Sequence, residues 1–235
     1  MLEIVKAGLA AALLTAPGAA LASDTAMPVV VELFTSQGCA SCPPADGLLN
    51  ELAGREDVIA LSLHVDYWDY IGWKDAFADP AYTKRQKGYA RAVGSRSVYT
   101  PQMVVGGAEH VIGFRPMEVA ELIQRHKSRP APVTLSLTRS GEHVIVAAQA
   151  LRPLKGEVVL QLVSYMPNQI VEITRGENAG RRIQYSNIVN GWTPVARWDG
   201  AAPLNLSFEM PSDSPVVAIL QESGFGPILA AARLR

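Results

Sequence analysis

The chain has only two cysteines, three positions apart, in Gly38-Cys39-Ala40-Ser41-Cys42-Pro43. A Cys-x-x-Cys pair can exchange disulfides with other thiols, close a structural bridge, or offer two thiolates to a soft metal. A bridge over so short a separation closes a very small loop and removes little entropy from the unfolded chain, so stability is a weak reason for the spacing. Exchange requires the spacing, because Cys42 must reach and resolve a mixed disulfide formed on Cys39.

The flanking residues define where the pair sits. The apolar run Val29-Val30-Val31-Glu32-Leu33-Phe34 precedes it and reads as a strand covered on both faces. After it, Leu48, Leu49 and Leu52 recur at helical spacing over Pro44–Ala53, and Pro43 and Pro44 fit a first helical turn. Strand, dithiol, helix places Cys39 at a helix N-terminus, where the macrodipole favours the thiolate and lowers a thiol pKa by about one unit. Cys39 is expected to be the more exposed sulfur and the nucleophile, with Cys42 one turn inside facing the sheet. Ala40-Ser41 adds neither charge nor proline between them.

Other residues converge on the same edge. Thr100-Pro101 opens a strand expected to run antiparallel to the first, which brings it beside Cys39. A cis proline there would present backbone polar groups to an extended substrate, although local propensity favours trans, cis being about 5–6 % of X–Pro bonds. His64-Val65-Asp66 ends a second strand, parallel to the first, so His64, Asp66, Tyr67, Trp68, Tyr70 and Trp73 approach the dithiol. These residues form either a substrate-binding lip or the small core of the Asp66–Asp79 segment itself. His64 with two thiolates is also a minimal Cu(I) or Zn site, a minor alternative because one histidine and no further cysteine are at hand. No other motif calls for a metal or a cofactor. Glu32, inside the buried run, reads as the partner of a Lys or Arg rather than as a proton acceptor for the dithiol.

The elements supporting the pair change character near residue 130. Before it the order is strand 29–35, helix 44–53, strand 58–65, helix 80–93, strands 101–105 and 110–112, and helix 115–126. That βαβαββα order predicts a mixed four-stranded sheet with helices on both faces. Ser128-Arg129-Pro130-Ala131-Pro132 reads as a linker. Beyond it apolar residues alternate (Val133, Leu135, Leu137; Val144, Val146; Val158, Leu160, Leu162), with turn signals such as Ser140-Gly141 and Asp199-Gly200 between the runs. Short alternating strands at this spacing predict an all-β sandwich-like domain over 133–235. Trp192 and Trp198 read as its core residues or edge anchors.

The N-terminal 22 residues read as a signal peptide: Lys6, an apolar Ala7–Leu14, a Pro17-Gly18 break, and Ala20-Leu21-Ala22 before a cleavage at Ser23. The apolar stretch is shorter than the roughly 20 residues a spanning helix needs. The expected location is therefore the periplasm or the exterior, an oxidising compartment. The segment carries one acid (Glu3) and one base (Lys6), so its removal leaves the net charge at -1. A near-neutral chain without basic clusters gives no reason to expect nucleic acid or an anionic membrane surface as partner. The partners expected are protein or small-molecule thiols and disulfides, with no stable membrane insertion.

The string from Val31 to Cys42 resembles the strand and dithiol of glutaredoxin- and thioredoxin-fold proteins. The fuller set, with Pro43-Pro44-Ala45-Asp46, His64-Val65-Asp66-Tyr67-Trp68-Asp69, Gly72-Trp73, Tyr99-Thr100-Pro101-Gln102 and Arg175-Gly176-Glu177-Asn178, resembles a bacterial secreted thioredoxin-like family, the domain of unknown function 1223. The resemblance runs from about Val29 to the C-terminus. It implies a thioredoxin-like fold, with Cys39 as nucleophile, Cys42 as resolver and Pro101 in cis; the linker bounds that domain to 23–128, and the shared strand ends make Thr100, Trp68, Trp73 and His64 the candidate substrate-binding residues. It implies no particular substrate. The expected activity is periplasmic thiol–disulfide exchange. The alternatives are a non-enzymatic exported binding protein with a structural Cys39–Cys42 bridge and a copper-binding protein of the same fold.

Overall fold

Every residue of β1 (Val29–Thr35) is buried, because both faces of this strand are covered. Val29, Val31 and Leu33 face α1 (Pro43–Ala53) and α3 (Pro116–Lys127), meeting Ala45, Leu49, Leu52, Val119, Leu122 and Ile123. Val30 and Phe34 face the other way, toward Tyr82 and Tyr89 of α2 (Pro80–Ala92). A computed structural model describes residues 27–210 and 214–235 of the chain; the expected signal segment lies outside the described residues. Among them no helix is long and apolar enough to cross a membrane.

β2 (Val58–His64) runs parallel to β1, from Val29↔Val58 to Thr35↔His64. β3 (Gln102–Val105) pairs antiparallel with β1, and β4 (Glu109–Ile112) with β3. This is the βαβαββα order read from the sequence, with α1 and α3 on one face and α2 on the other. Asp79 caps α2, its side chain accepting from Ala81 N at 2.7 Å.

The sheet does not stop at four strands. The C-terminal strands are β5 (Val133–Ser140), β6 (His143–Ala150), β7 (Val158–Glu172), β8 (Arg182–Trp198), β9 (Leu204–Glu209), β10 (Val216–Glu222) and β11 (Ile228–Leu234). Four of them extend the first sheet to eight strands, in the order β11-β10-β7-β8-β2-β1-β3-β4, while β5-β6-β9 form a second sheet. The junction is a short parallel contact, Ser62↔Ile188. Beside it Asn187, at φ 48°, donates its Nδ2 to Ala60 O at 2.9 Å. Asparagine tolerates that left-handed backbone, and its amide extends the pairing where the backbone itself turns away.

The β5-β6-β9 sheet lays Val133, Leu135, Val144 and Val146 on Val158, Leu160, Val216, Ala218 and Leu220. The opposite faces of β7 and β10 put Val163, Val217 and Ile219 into the core shared with α2 and β1. The change of period near residue 130 therefore marks a change in what covers the sheet. The result is a mixed α/β fold with one large mixed sheet and three helices among the described residues.

Candidate functional site

Cys39 and Cys42 are joined by a disulfide, their Cα atoms 5.4 Å apart. Two tight turns carry the chain from β1 into α1, with Cys39 N bonded to Ser36 O at 3.1 Å and Cys42 N to Cys39 O at 3.2 Å. Gly38 stands where a Cβ would lie 3.2 Å from Trp68 Cβ, so a larger residue would have to push Trp68 aside by a few tenths of an ångström. Cys42 is the N-cap of α1, and Cys39 sits a turn before the helix rather than at its first free amides. Pro43 and Pro44 carry no N–H, and the amides of Ala45 and Asp46 both bond Cys42 O. The helix end thus has few donors left for a thiolate, weaker activation than the sequence suggests. The nearest donor is Ser41, whose Oγ lies 3.4 Å from Cys39 Sγ.

Exposure also differs from expectation. Cys39 is 1 % exposed and Cys42 0 %, so neither residue is open to solvent. Ala40 and Ser41 between them are exposed. Trp68 and Ile71 of the Asp66–Asp79 segment pack beside Gly38. From the far end of the chain Asn178, in the β7–β8 connection, donates Nδ2 to both Gln37 O and Cys39 O at 2.9 Å.

On the outer side, Ser41 Oγ lies 3.5 Å from Thr100 O, and Trp68 Nε1 donates to Thr100 Oγ1 at 2.7 Å. The Thr100–Pro101 peptide is cis, and Gly113 N bonds Pro101 O at 2.9 Å. Cys39, Thr100, Pro101 and Trp68 are therefore one neighbourhood. Ile112, Phe114 and Met117, next to Gly113, are exposed apolar residues, as is Tyr70 of the Asp66–Asp79 segment. Trp73 takes another role, donating Nε1 to Gln37 Oε1 at 2.7 Å and holding the turn that leads to Cys39.

His64 is not part of this surface. It is 0 % exposed, stacked edge-on against Phe77 and Tyr185 at 5.3 and 4.9 Å, with Nδ1 2.7 Å from Asp75 Oδ2. It cannot touch a substrate here, because the segment expected to present it folds back over it. Asp75 organises that segment: its carboxylate also accepts from Gln37 N at 2.8 Å and Phe77 N at 2.9 Å. Among the described residues no three His, Cys, Asp or Glu side chains are arranged to hold a metal ion.

Behind Cys42, one helical turn along α1, lies Asp46, 2 % exposed. Thr35 Oγ1 donates to its Oδ1 at 2.8 Å, while Oδ2 has no partner. Burial pushes its carboxyl up from 3.8 to about 7, Asp75 adding to the rise, with His64 and the Thr35 hydrogen bond opposing it. His64 Nε2 and Tyr185 Oη are likewise buried without a partner. Burial, then the charges of Asp46 and Asp75, push the Tyr185 phenol up as well. Sequence reading missed Asp46, Asp75 and Tyr185 as members of the site.

Glu32 is used elsewhere. Arg85 grips it with two bonds, Nε to Oε2 at 2.6 Å and Nη2 to Oε1 at 2.8 Å, and Tyr89 Oη donates to Oε1 at 2.6 Å. Gln161 and Gln221 take further guanidinium bonds, and the Trp192 ring lies 3.7 Å beneath it. This is the Lys/Arg pairing expected from sequence, built across α2, β1, β7, β8 and β10.

A family model described as "Protein of unknown function (DUF1223)" matches residues 30–221. Among solved structures, the chain is similar to a crystal structure of an Agrobacterium tumefaciens protein, with 31% identity and a TM-score of 0.77 over 89% of this chain and 94% of that one. It is also similar to HBP35 of Porphyromonas gingivalis, with a TM-score of 0.59 and 14% identity over 88% of this chain and 74% of that one, a likeness of fold alone. No curated protein matches the chain.

Proposed function

Because the chain belongs to a family described only as of unknown function, DUF1223, we propose its activity from the site itself: thiol–disulfide exchange through Cys39–Cys42, in a thioredoxin-like domain exported to the periplasm. The observation that carries this reading is the bridge, which spans a sequence separation of 3 at a strand-to-helix junction. It closes too small a loop to hold much of the fold together. Export rests on the signal-like N-terminus.

In one direction, a substrate thiolate attacks Cys39 Sγ. The new bond joins substrate sulfur to Cys39, the Cys39–Cys42 bond breaks, and its electron pair leaves on Cys42 Sγ, which takes a proton. Asp46, buried one turn along the same helix with its carboxyl pKa raised by burial, is the candidate donor of that proton. A second substrate thiol then displaces Cys39, leaving the substrate oxidised to a disulfide and the protein reduced to a dithiol. The reverse sequence reduces a substrate disulfide. The exposed Tyr70, Ile112, Phe114 and Met117 suit a polypeptide substrate better than a small polar thiol.

A second reading has one specific observation in its favour: both cysteines are almost wholly buried, as in a structural bridge of a binding protein. Trapping separates the two. Cys42→Ser expressed with its leader should accumulate mixed disulfides on Cys39, visible as reducible high-mass bands on a non-reducing gel, and Cys39→Ser should form none. Absence of adducts from folded Cys42→Ser would move the assignment to the structural bridge.

A further inference from the structure

We propose that the loop joining β7 to β8, residues 173–181, is a lid over the disulfide, and that Asn178 is its latch. This rests on the reading of Cys39–Cys42 as an exchanging pair and adds what controls its access.

Attack on a disulfide requires approach to a sulfur, and the rate follows that access. With Cys39 at 1 % and Cys42 at 0 % exposure, the closed conformation offers no approach. Ser41, exposed and with its Oγ 3.4 Å from Cys39 Sγ, shields one sulfur from within the turn. Asn178, itself 1 % exposed, holds the same turn from outside, reaching from a loop that follows the dithiol by more than half the chain. Both of its hydrogen bonds go to backbone carbonyls of the dithiol turn, Gln37 O and Cys39 O.

The rest of the loop is lightly held. Ile173 anchors one end in the core, but Thr174, Arg175, Gly176, Glu177, Ala179 and Gly180 are exposed. Its internal bonds, Gly180 N to Ile173 O and Arg181 N to Asn178 O, keep its shape without tying it to the dithiol. The other contact with the site is Gly176, at φ +76°, where a Cβ would lie 3.2 Å from Trp73 Cβ. The latch is also close to balance. Two ordinary hydrogen bonds work against a buried Asn178 Oδ1 that has no partner. A contact of that kind opens without unfolding its surroundings. Because Asn178 binds the carbonyl of Cys39 itself, a substrate bonded to Cys39 displaces the group that holds the lid shut. The C-terminal half of the chain thus sets the reactivity of a dithiol in the N-terminal half.

The test is the rate at which a water-soluble phosphine reduces the bridge in the folded full-length protein. The phosphine gives an electron pair to the S–S bond and ends as its oxide with oxygen from water; both cysteines end as thiols. Asn178→Ala, which loses both donors, should react about tenfold faster than wild type. Asn178→Gln, which keeps an amide donor, should recover part of the slow rate, a rescue that general loosening would not give. Gly176→Val, which is strained at φ +76° and crowds Trp73, disturbs the loop while keeping the Asn178 side chain and should also accelerate reduction. Asn50→Ala is the control: it deletes a comparable side-chain bond, Asn50 Nδ2 to Gln184 O at 3.0 Å, outside the lid, and should leave the rate unchanged. Wild-type rates in whichever of Asn178→Ala and Gly176→Val folds, or equal acceleration by Asn50→Ala, would overturn the lid. Faster reduction in the lid variants with no trapped adducts on Cys42→Ser would keep the lid and remove the exchange activity. Adducts with unchanged reduction rates would do the reverse.

Discussion

Arg85→Met should lower the unfolding free energy by about 3–5 kcal/mol, the usual consequence of leaving a buried carboxylate without its partner. Glu32 is 0 % exposed and sits in the middle of β1, so water cannot replace the lost guanidinium. Three elements besides α2 and β1 lose a bond at the same time, because Gln161 of β7 and Gln221 of β10 also accept from Arg85, and Trp192 of β8 stacks on it. Arg85→Lys should fall between: it keeps the charge and loses the fork that engages both Glu32 oxygens. Urea denaturation at neutral pH with the disulfide intact measures both. A loss of about 1 kcal/mol or less in Arg85→Met would place the network among weak surface-type pairs and contradict its role as the tie between the two halves of the sheet.

Asp46 should make the protein less stable as pH rises from about 4 to 7. Its carboxyl is pushed up from 3.8 to about 7 by burial. Below its unfolded value the group is protonated in both states and has no effect. Between the two values the unfolded chain releases its proton while the folded chain keeps it, so the folded state binds more protons and stability falls with rising pH. Above about pH 7 the loss is complete and amounts to about 4 kcal/mol, the shift multiplied by 1.36 kcal/mol per unit. Asp46→Asn keeps an acceptor for Thr35 Oγ1 and cannot ionise. It should match wild type near pH 4, exceed it by about 3–4 kcal/mol near pH 8, and lose this component of the pH slope. If Asp46 supplies the proton to Cys42, the same variant should slow exchange while stabilising the fold. Parallel pH profiles for the two proteins would show that Asp46 does not titrate in this window.

The order of elements before residue 128 was legible because each has a local cause: the unbroken apolar run of β1, the leucines of α1 at helical spacing, the prolines at the start of all three helices. The strands after 133 announce themselves by alternation. Their attachment to the first sheet has no such signal. It rests on Ser62↔Ile188 and on the side chain of Asn187, residues more than 120 positions apart in the chain. Without that junction a four-stranded sheet and a separate sandwich were the natural reading.

The site divides the same way. Cys39, Cys42, Thr100 and Pro101 could be placed from sequence because strand direction brings their ends to one edge. Trp68 and Trp73 followed as neighbours, although only the structure separates Trp68 at Thr100 from Trp73 at Gln37. The near-complete burial of both cysteines was not legible, and Asn178, which bonds the dithiol turn, lies 139 residues from Cys39. Asp46 was in view inside Pro43-Pro44-Ala45-Asp46, but helical spacing alone did not show that it is buried within electrostatic reach of His64, Asp75 and Tyr185.

Whether Cys39–Cys42 is an exchanging bridge or a structural one is decided by its reduction potential. Equilibration of the folded protein with graded thiol buffers, read by alkylation of the two cysteines, gives the value. An exchanging bridge should be labile, above about -250 mV; a value below about -300 mV, where structural disulfides of exported proteins lie, would make the bridge structural.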